Sequence, residues 1–331
     1  MIPQDDYRAI REGTAIGAIA PRRQIAVAGR DRATYLQGLL TNDIPALTPG
    51  TGCYAAWLTP QGRMLTDMHI LESGGMILLD VPADTAAATI ERLEQFIFTE
   101  DVQVGSLAES LTGVWLHGPQ ASAVLEQVLQ GLTGLAAWPD YHHTQSEFEE
   151  HPASVARIDQ LGVPGFCVYL ERSREQAFIA ALIHSGGVVV SAEALEVARI
   201  EAGYPVFGID MTDDTIPLEA GIEDRAISLT KGCYVGQEVI IRVLHRGHGR
   251  VVRKLVGLLI DGAPPERGAR LFAADRDVGF VTSAAESPRL GTIALGYLHR
   301  DFLVAGTKVE AETGAGRVPA TVTERLILSG A

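Results

Sequence analysis

The spacing of apolar and polar positions changes period repeatedly over the first two-thirds of the chain. RQIAVAG (23–29) alternates as a strand does, and DRATYLQGLL (31–40) switches to helical spacing, with Asp31 placed as N-cap. GCYAAWLT (52–59), RMLTDMHILES (63–73) and GMILLDV (75–81) read as strands. PADTAAATIERLEQFIF (82–98) reads as a helix, with Pro82 at its start and Ile90, Leu93 and Ile97 on one face. The theme recurs in strand LTGVWLHG (111–118), helix PQASAVLEQVLQ (119–130), strands near 153–160 and 165–171, and helix SREQAFIAALIHSG (173–186). Helices separated by pairs of strands predict an α+β fold of antiparallel sheets.

Near residue 250 the texture changes. VRKLVGLLI, ARLFAA, DVGFVTSAAE, GTIALGYLH, TKVEAE and VPATVTERLIL are short β-runs separated by Gly, Pro and Asp, and no helical pattern stands among them. Such spacing predicts a small barrel or sandwich. The expected division is therefore 1–250, holding two α+β subdomains, and 251–331, a C-terminal β-barrel.

Composition narrows the function. The chain has 331 residues, is 47% hydrophobic and carries a formal charge of −14. Such a charge argues against direct nucleic-acid binding or an anionic membrane surface, both of which need a positive field. The N-terminus MIPQDDYRAIREG has no apolar core of a signal peptide, and the densest apolar run, AFIAALI (177–183), is too short to span a bilayer. Three cysteines far apart, Cys53, Cys167 and Cys233, do not make a disulfide framework and fit a reducing cytoplasm.

Within this acidic chain, SLTKGCYVGQEVIIRVLHRGHGR (228–250) is basic. Between Lys231 and Lys254, six basic side chains, including Arg242, Arg246, Arg250 and Arg253, stand against one acid, Glu238. A solvated face is the ordinary reading of such a run; in this chain the local excess points to an anionic ligand or partner. Cys233 is either a small buried hydrophobe or, beside Lys231 and ahead of a helix beginning in QEVIIRVLHR, an activated thiol. His245 and His248 have metal-like spacing, but Arg246 lies between them and no carboxylate cluster is near, so no metal is expected. In ALEVARIEAGYPVFGIDM (194–211), Arg199 and Glu201 close a helical pattern; they form either a helix-end ion pair or a carboxylate site for adjacent N–H donors, as a pterin presents. The phosphate loop GxxxxGK[ST], the GxSxG elbow, HExxH and paired CxxC are absent, which removes ATPase, α/β-hydrolase and zinc-finger readings.

KGCYVGQE, comprising Lys231, Gly232, Cys233, Tyr234, Gly236, Gln237 and Glu238 around Val235, resembles the signature of the YgfZ-type folate-binding proteins, which assist maturation of iron–sulfur proteins. These belong to the superfamily of the glycine-cleavage T-protein, a tetrahydrofolate-dependent aminomethyltransferase. Residues 27–67, ARIEAGYPVFGIDM, IPLEAGIEDRAISLTKGCYVGQE and 279–310 are similar to other parts of that superfamily, so the resemblance spans essentially the whole chain. It implies subdomains around a central folate-binding channel. Glu201 would anchor the pterin, with Arg199 beside it and Tyr54 at the pocket; charge alone adds Arg242 and Arg246 as contacts for the folate tail. Cys233, Lys231 and Asp67 would carry the chemistry. The T-protein has GG-x-x-Asp-Asp where this chain reads GRMLTD, leaving Asp67 with Thr66 in place of the other acid. Taken as the loss of one carboxylate beside the reactive nitrogen, that change weakens aminomethyl transfer. The resemblance therefore implies a cytoplasmic, tetrahydrofolate-binding accessory protein for assembly or repair of iron–sulfur enzymes, including tRNA-modifying ones, with those enzymes or assembly factors as partners. It would hold no cluster itself, since three scattered cysteines cannot supply four thiolates. The alternative is a tetrahydrofolate-dependent aminomethyl or one-carbon transferase.

Overall fold

The computed structural model describes residues 2–245 and 250–323. A five-stranded antiparallel sheet runs in the order Thr51–Leu58, Met64–Glu72, Met76–Pro82, Arg22–Ala28, Gln103–Ser106. A six-stranded sheet runs Val188–Val189, Ala15–Ile16, Leu111–His117, Gly165–Glu171, His151–Arg157, His143–Phe148, antiparallel apart from the first pairing. Each sheet lays one face on helices. Ile25, Val27, Trp57, Met68, Ile70 and Leu79 of the five-stranded sheet pack against helices Arg32–Leu39 and Ala86–Gln95. Leu116, Phe166 and Val168 of the other pack on Ala121–Val128 and Glu175–His184. The opposite faces meet each other through Leu71, Leu78, Trp115, Cys167 and Tyr169. Because successive strand residues face opposite sides, this double layer decides which polar side chains reach the centre.

Six strands from Arg253 to Thr323 close into a barrel, in the order 253–260, 291–299, 276–287, 270–273, 308–313, 316–323. The α+β architecture with a C-terminal barrel thus agrees with the hydrophobic pattern. Two local details differ. Asp31 stands at the N-cap of the helix Arg32–Leu39 as expected, but its carboxylate makes no capping bond and accepts from the backbone N–H of Asp101 instead. Pro82 ends a strand, and a short 3₁₀ turn, Ala83–Thr85, precedes the helix proper.

The helix Ala192–Glu201 bridges the layers to the barrel. Arg199, fully buried, donates to Asp210 at 2.8 Å, to both oxygens of Glu196 and to Ser283 of the barrel at 2.7 Å. Asp210 accepts in addition from Thr282 and Ser283. This hydrogen-bonded ion pair carries the charge of a guanidinium that burial alone would expel.

Candidate functional site

Two carboxylates share one arginine between the sheets. Asp67 accepts from the Tyr54 hydroxyl at 2.7 Å and from Arg22 Nη1 at 3.3 Å. Asp80 accepts from Arg22 Nε at 3.0 Å and from the Tyr169 hydroxyl, on the facing sheet, at 2.7 Å. Burial works against the Arg22 charge, but Asp80 and then Asp67 more than offset it and hold the guanidinium protonated. Burial pushes the Asp80 carboxyl up, with Arg22 pulling the other way. The Tyr54 phenol is raised by burial and by Asp67, so it stays a donor. His69 is held well below its ordinary value by burial and by Arg22 and Arg225, leaving a neutral imidazole 2.7 Å from the Tyr141 hydroxyl and 3.3 Å from the Gln160 amide.

A small cavity of about 10 Å³ adjoins this cluster, lined by Arg22, Asp67, Trp115, Gln160 and Tyr204 under the irregular segments 18–20 and 204–206. It is roomy enough for about one water. Gln160 is buried with Oε1 unpartnered; whichever way its amide is turned, one end lacks a protein partner. Arg225 completes the cluster, its guanidinium 4.5 Å from the Tyr54 ring centroid and 4.2 Å from that of Tyr204.

The structure places Tyr54 and Asp67 in contact and gives other work to several residues. Both Glu201 oxygens accept from the Tyr7 hydroxyl, at 2.9 and 3.0 Å, and the same carboxylate is bonded by Arg11 and Ser287. A fully buried carboxylate held by three side chains presents no open edge to a pterin. Arg199 is likewise spent on Glu196, Asp210 and Ser283, so neither residue has the free groups the pterin-anchor reading requires. Arg242 is exposed on the helix Gln237–His245; Arg246, His248 and the side chain of His245 lie outside the described residues. Among the described residues, no group of three His, Cys, Asp or Glu is placed to hold a metal.

The KGCYVGQE stretch is a loop built to point one thiol outward. Lys231 donates to the carbonyls of Gln37, Leu40 and Asn42 at 2.8, 2.5 and 2.8 Å, satisfying backbone acceptors at the end of the helix Arg32–Leu39. Its ammonium is therefore occupied and does not serve as the dedicated partner of Cys233. Burial brings the Lys231 amine down to about 8. Tyr234 is buried against Tyr54 and Ile240. Gly236 has φ +84°, and a Cβ there would sit 2.5 Å from the Thr59 carbonyl, so the turn needs glycine. Between these anchors Gly232 and Cys233 are exposed, four residues ahead of the helix at Gln237 rather than on its first turn. Gln237 and Glu238 open that helix.

With the architecture and cluster placed, comparison with known proteins assigns the family. A family model described as the GCVT N-terminal domain matches residues 2–231, and one described as the glycine cleavage T-protein C-terminal barrel domain matches 253–327. The chain belongs to the glycine cleavage T-protein family. It is 29% identical over 329 residues to an aminomethyltransferase of Geobacillus sp. (strain WCH70), covering 96% of this chain and 88% of that one. An aminomethyltransferase of Bacillus subtilis (strain 168) is 26% identical, with 96% and 89% covered. The crystal structure of glycine cleavage system aminomethyltransferase T from Bartonella henselae superposes with a TM-score of 0.87 at 26% identity, covering 98% of this chain and 89% of that one. The two family matches leave residues 232–252, with Cys233, between them.

T-protein membership sharpens the meaning of Thr66. Its strand pairs Trp57 with Thr66 and Ala56 with Asp67, so the two neighbours face opposite sides. Thr66 lies on the helix side, 2.8 Å from the Thr85 hydroxyl, and lines an outer pocket of about 370 Å³ with Trp57, Arg92 and Phe207. Asp67 alone reaches the centre. The threonine therefore removes no carboxylate from beside Asp67, and the sequence-based objection to aminomethyl transfer falls. The comparisons favour the transferase alternative over the iron–sulfur reading in the same direction. The residues that sequence reading missed are Arg22, His69, Asp80, Gln160, Tyr169, Tyr204 and Arg225. Two of them had a signal, since His69 and Asp80, like Asp67, interrupt apolar runs on faces that the alternation turns inward.

Proposed function

We propose that this T-protein family member binds tetrahydrofolate at the central cluster and acts there on an aminomethyl or other one-carbon group. Aminomethyltransferases of this family use tetrahydrofolate. The observation that carries the reading is Asp67, an inward carboxylate fixed by Tyr54 and Arg22 beside an unpartnered amide. A pterin presents ring N–H donors and a carbonyl acceptor, which match a carboxylate, the free end of Gln160 and the Tyr204 hydroxyl. The donor set fits; a cavity of about 10 Å³ does not, so binding requires segments 18–20 and 204–206 to part. When bound, tetrahydrofolate supplies the nitrogen that carries the one-carbon unit. Asp67 then accepts or returns a proton at Oδ1 or Oδ2, Tyr54 and Arg22 fix that carboxylate's direction, and Trp115 and Tyr204 keep water out. The test is tetrahydrofolate titration followed by turnover with an aminomethyl-lipoyl donor. Binding without turnover by the wild-type protein would remove the transferase step.

One observation favours a second reading, that of a folate-binding accessory protein for iron–sulfur enzymes: the anchored loop that exposes Cys233 lies between the two family matches. A soft, accessible thiol suits exchange with a thiol-ligated cluster or a persulfide. Deleting the gene and assaying iron–sulfur enzymes and glycine cleavage in one extract separates the two, since each reading predicts loss of a different activity.

A further inference from the structure

We propose that Arg225 recognises the carboxylate of a second small ligand at the central site, a compact amino acid bound beside tetrahydrofolate; this rests on the folate reading above. The guanidinium carbon lies 4.5 Å from the Tyr54 ring centroid and 4.2 Å from that of Tyr204, which also hydrogen-bonds the group, yet Nε and Nη2, the two N–H groups that make one side of the arginine fork, are buried without a partner. Among the described residues no carboxylate forms an ion pair with it. The inward acids of the same cluster, Asp67 and Asp80, are both engaged by Arg22. Burying two guanidinium N–H groups without an acceptor is costly, and in a chain of charge −14 acids are not scarce. The vacant fork calls for an anion from outside the chain.

The geometry also selects the kind of anion. Two aromatic rings flank the guanidinium carbon, with centroids 4.5 and 4.2 Å away. An acceptor that takes both N–H groups lies in the guanidinium plane, and the two oxygens of a carboxylate meet that fork with two parallel bonds. Tyr54 sets the direction of the rest of the ligand, because its ring underlies Arg225 while its hydroxyl donates to Asp67. A molecule with its carboxylate on Arg225 therefore directs its other end toward an acid, which suits an ammonium group. Tyr204 also lines the central cavity and belongs to the irregular segment 204–206, so the movement that admits folate opens this slot too.

The test is calorimetry on the full-length protein, with and without saturating tetrahydrofolate, using glycine, acetate and methylamine as probes. Glycine is expected to bind more tightly than acetate, and methylamine not measurably. Arg225→Gln should weaken glycine by roughly tenfold or more, as loss of a bidentate charge-assisted pair does, and should weaken tetrahydrofolate by clearly less. Arg225→Lys keeps the charge without the fork and should fall between the two; it also serves if the glutamine variant does not fold. Equal glycine affinity in wild type and variants would overturn the proposal, as would a loss that falls on tetrahydrofolate instead. If wild type binds glycine through Arg225 but no tetrahydrofolate, the folate reading fails and the carboxylate site stands.

Discussion

Thr66 Oγ1 lies 2.8 Å from Thr85 Oγ1, on the face of its sheet turned away from Asp67. Thr66→Asp, which restores the acid pair in sequence, does not restore it in space. The new carboxylate would sit at a position 1% exposed, with Asp84 lining the same pocket. The expected result is a loss of about 2 kcal/mol or more in urea unfolding, with no gain in aminomethyl transfer. A clear rise in turnover would show that the outer pocket communicates with the reaction.

Glu201→Gln should behave as a structural lesion. The amide leaves Arg11 without its counter-charge and places an N–H₂ among the donors Tyr7 and Ser287. Breaking a buried pair of this kind costs about 3 kcal/mol, so the melting temperature should drop while tetrahydrofolate affinity holds. The pterin-anchor role expected from sequence predicts the reverse, weaker folate binding with stability retained, and calorimetry beside a thermal melt distinguishes the two.

The fold was legible because hydrophobic period reports burial directly: the strands around 23–81 and the barrel after 250 bury the residues their alternation marked. The site was less legible because partners far apart in sequence decide it. Nothing near Glu201 in sequence announces Tyr7 or Ser287, and nothing near Lys231 announces the carbonyls of Gln37, Leu40 and Asn42. The separation of Thr66 from Asp67 was available from strand alternation alone, since neighbours on a strand cannot share a face.

Cys233 should label first among the three thiols. It is exposed, whereas burial holds Cys167 far above its ordinary value and pushes Cys53 up to about 12. Alkylation at pH 7.5 followed by peptide mass spectrometry is expected to modify Cys233 alone under native conditions, with Cys167 reacting only after unfolding. Cys233→Ala should leave the melting temperature within a degree or two, because the side chain contributes little buried surface. Slow labelling of Cys233, or a large drop in stability on its removal, would make the loop structural and withdraw the accessory reading.

Buried histidines should make the protein acid-labile over a defined window. His117 is fully buried with Nε2 3.1 Å from the Gly17 carbonyl; burial lowers its pKa to about 4, the carbonyl acting the other way. His69 and His143 are lowered too, both chiefly by burial. In the unfolded chain each titrates at about 6.5, so below that value the unfolded state binds protons that the native state refuses. The His117 contribution is therefore intact above pH 6.5 and is lost as pH falls toward 4, with a slope of at most about 1.4 kcal/mol per pH unit. Asp80 acts in the opposite sense, since burial raises its native pKa and protonation there relieves a cost. Comparing His117→Gln with wild type cancels that contribution, and the amide can still donate to Gly17. Urea unfolding between pH 7.5 and 4.5 should show the variant losing stability less steeply than wild type; parallel curves would mean that His117 takes up its proton without unfolding.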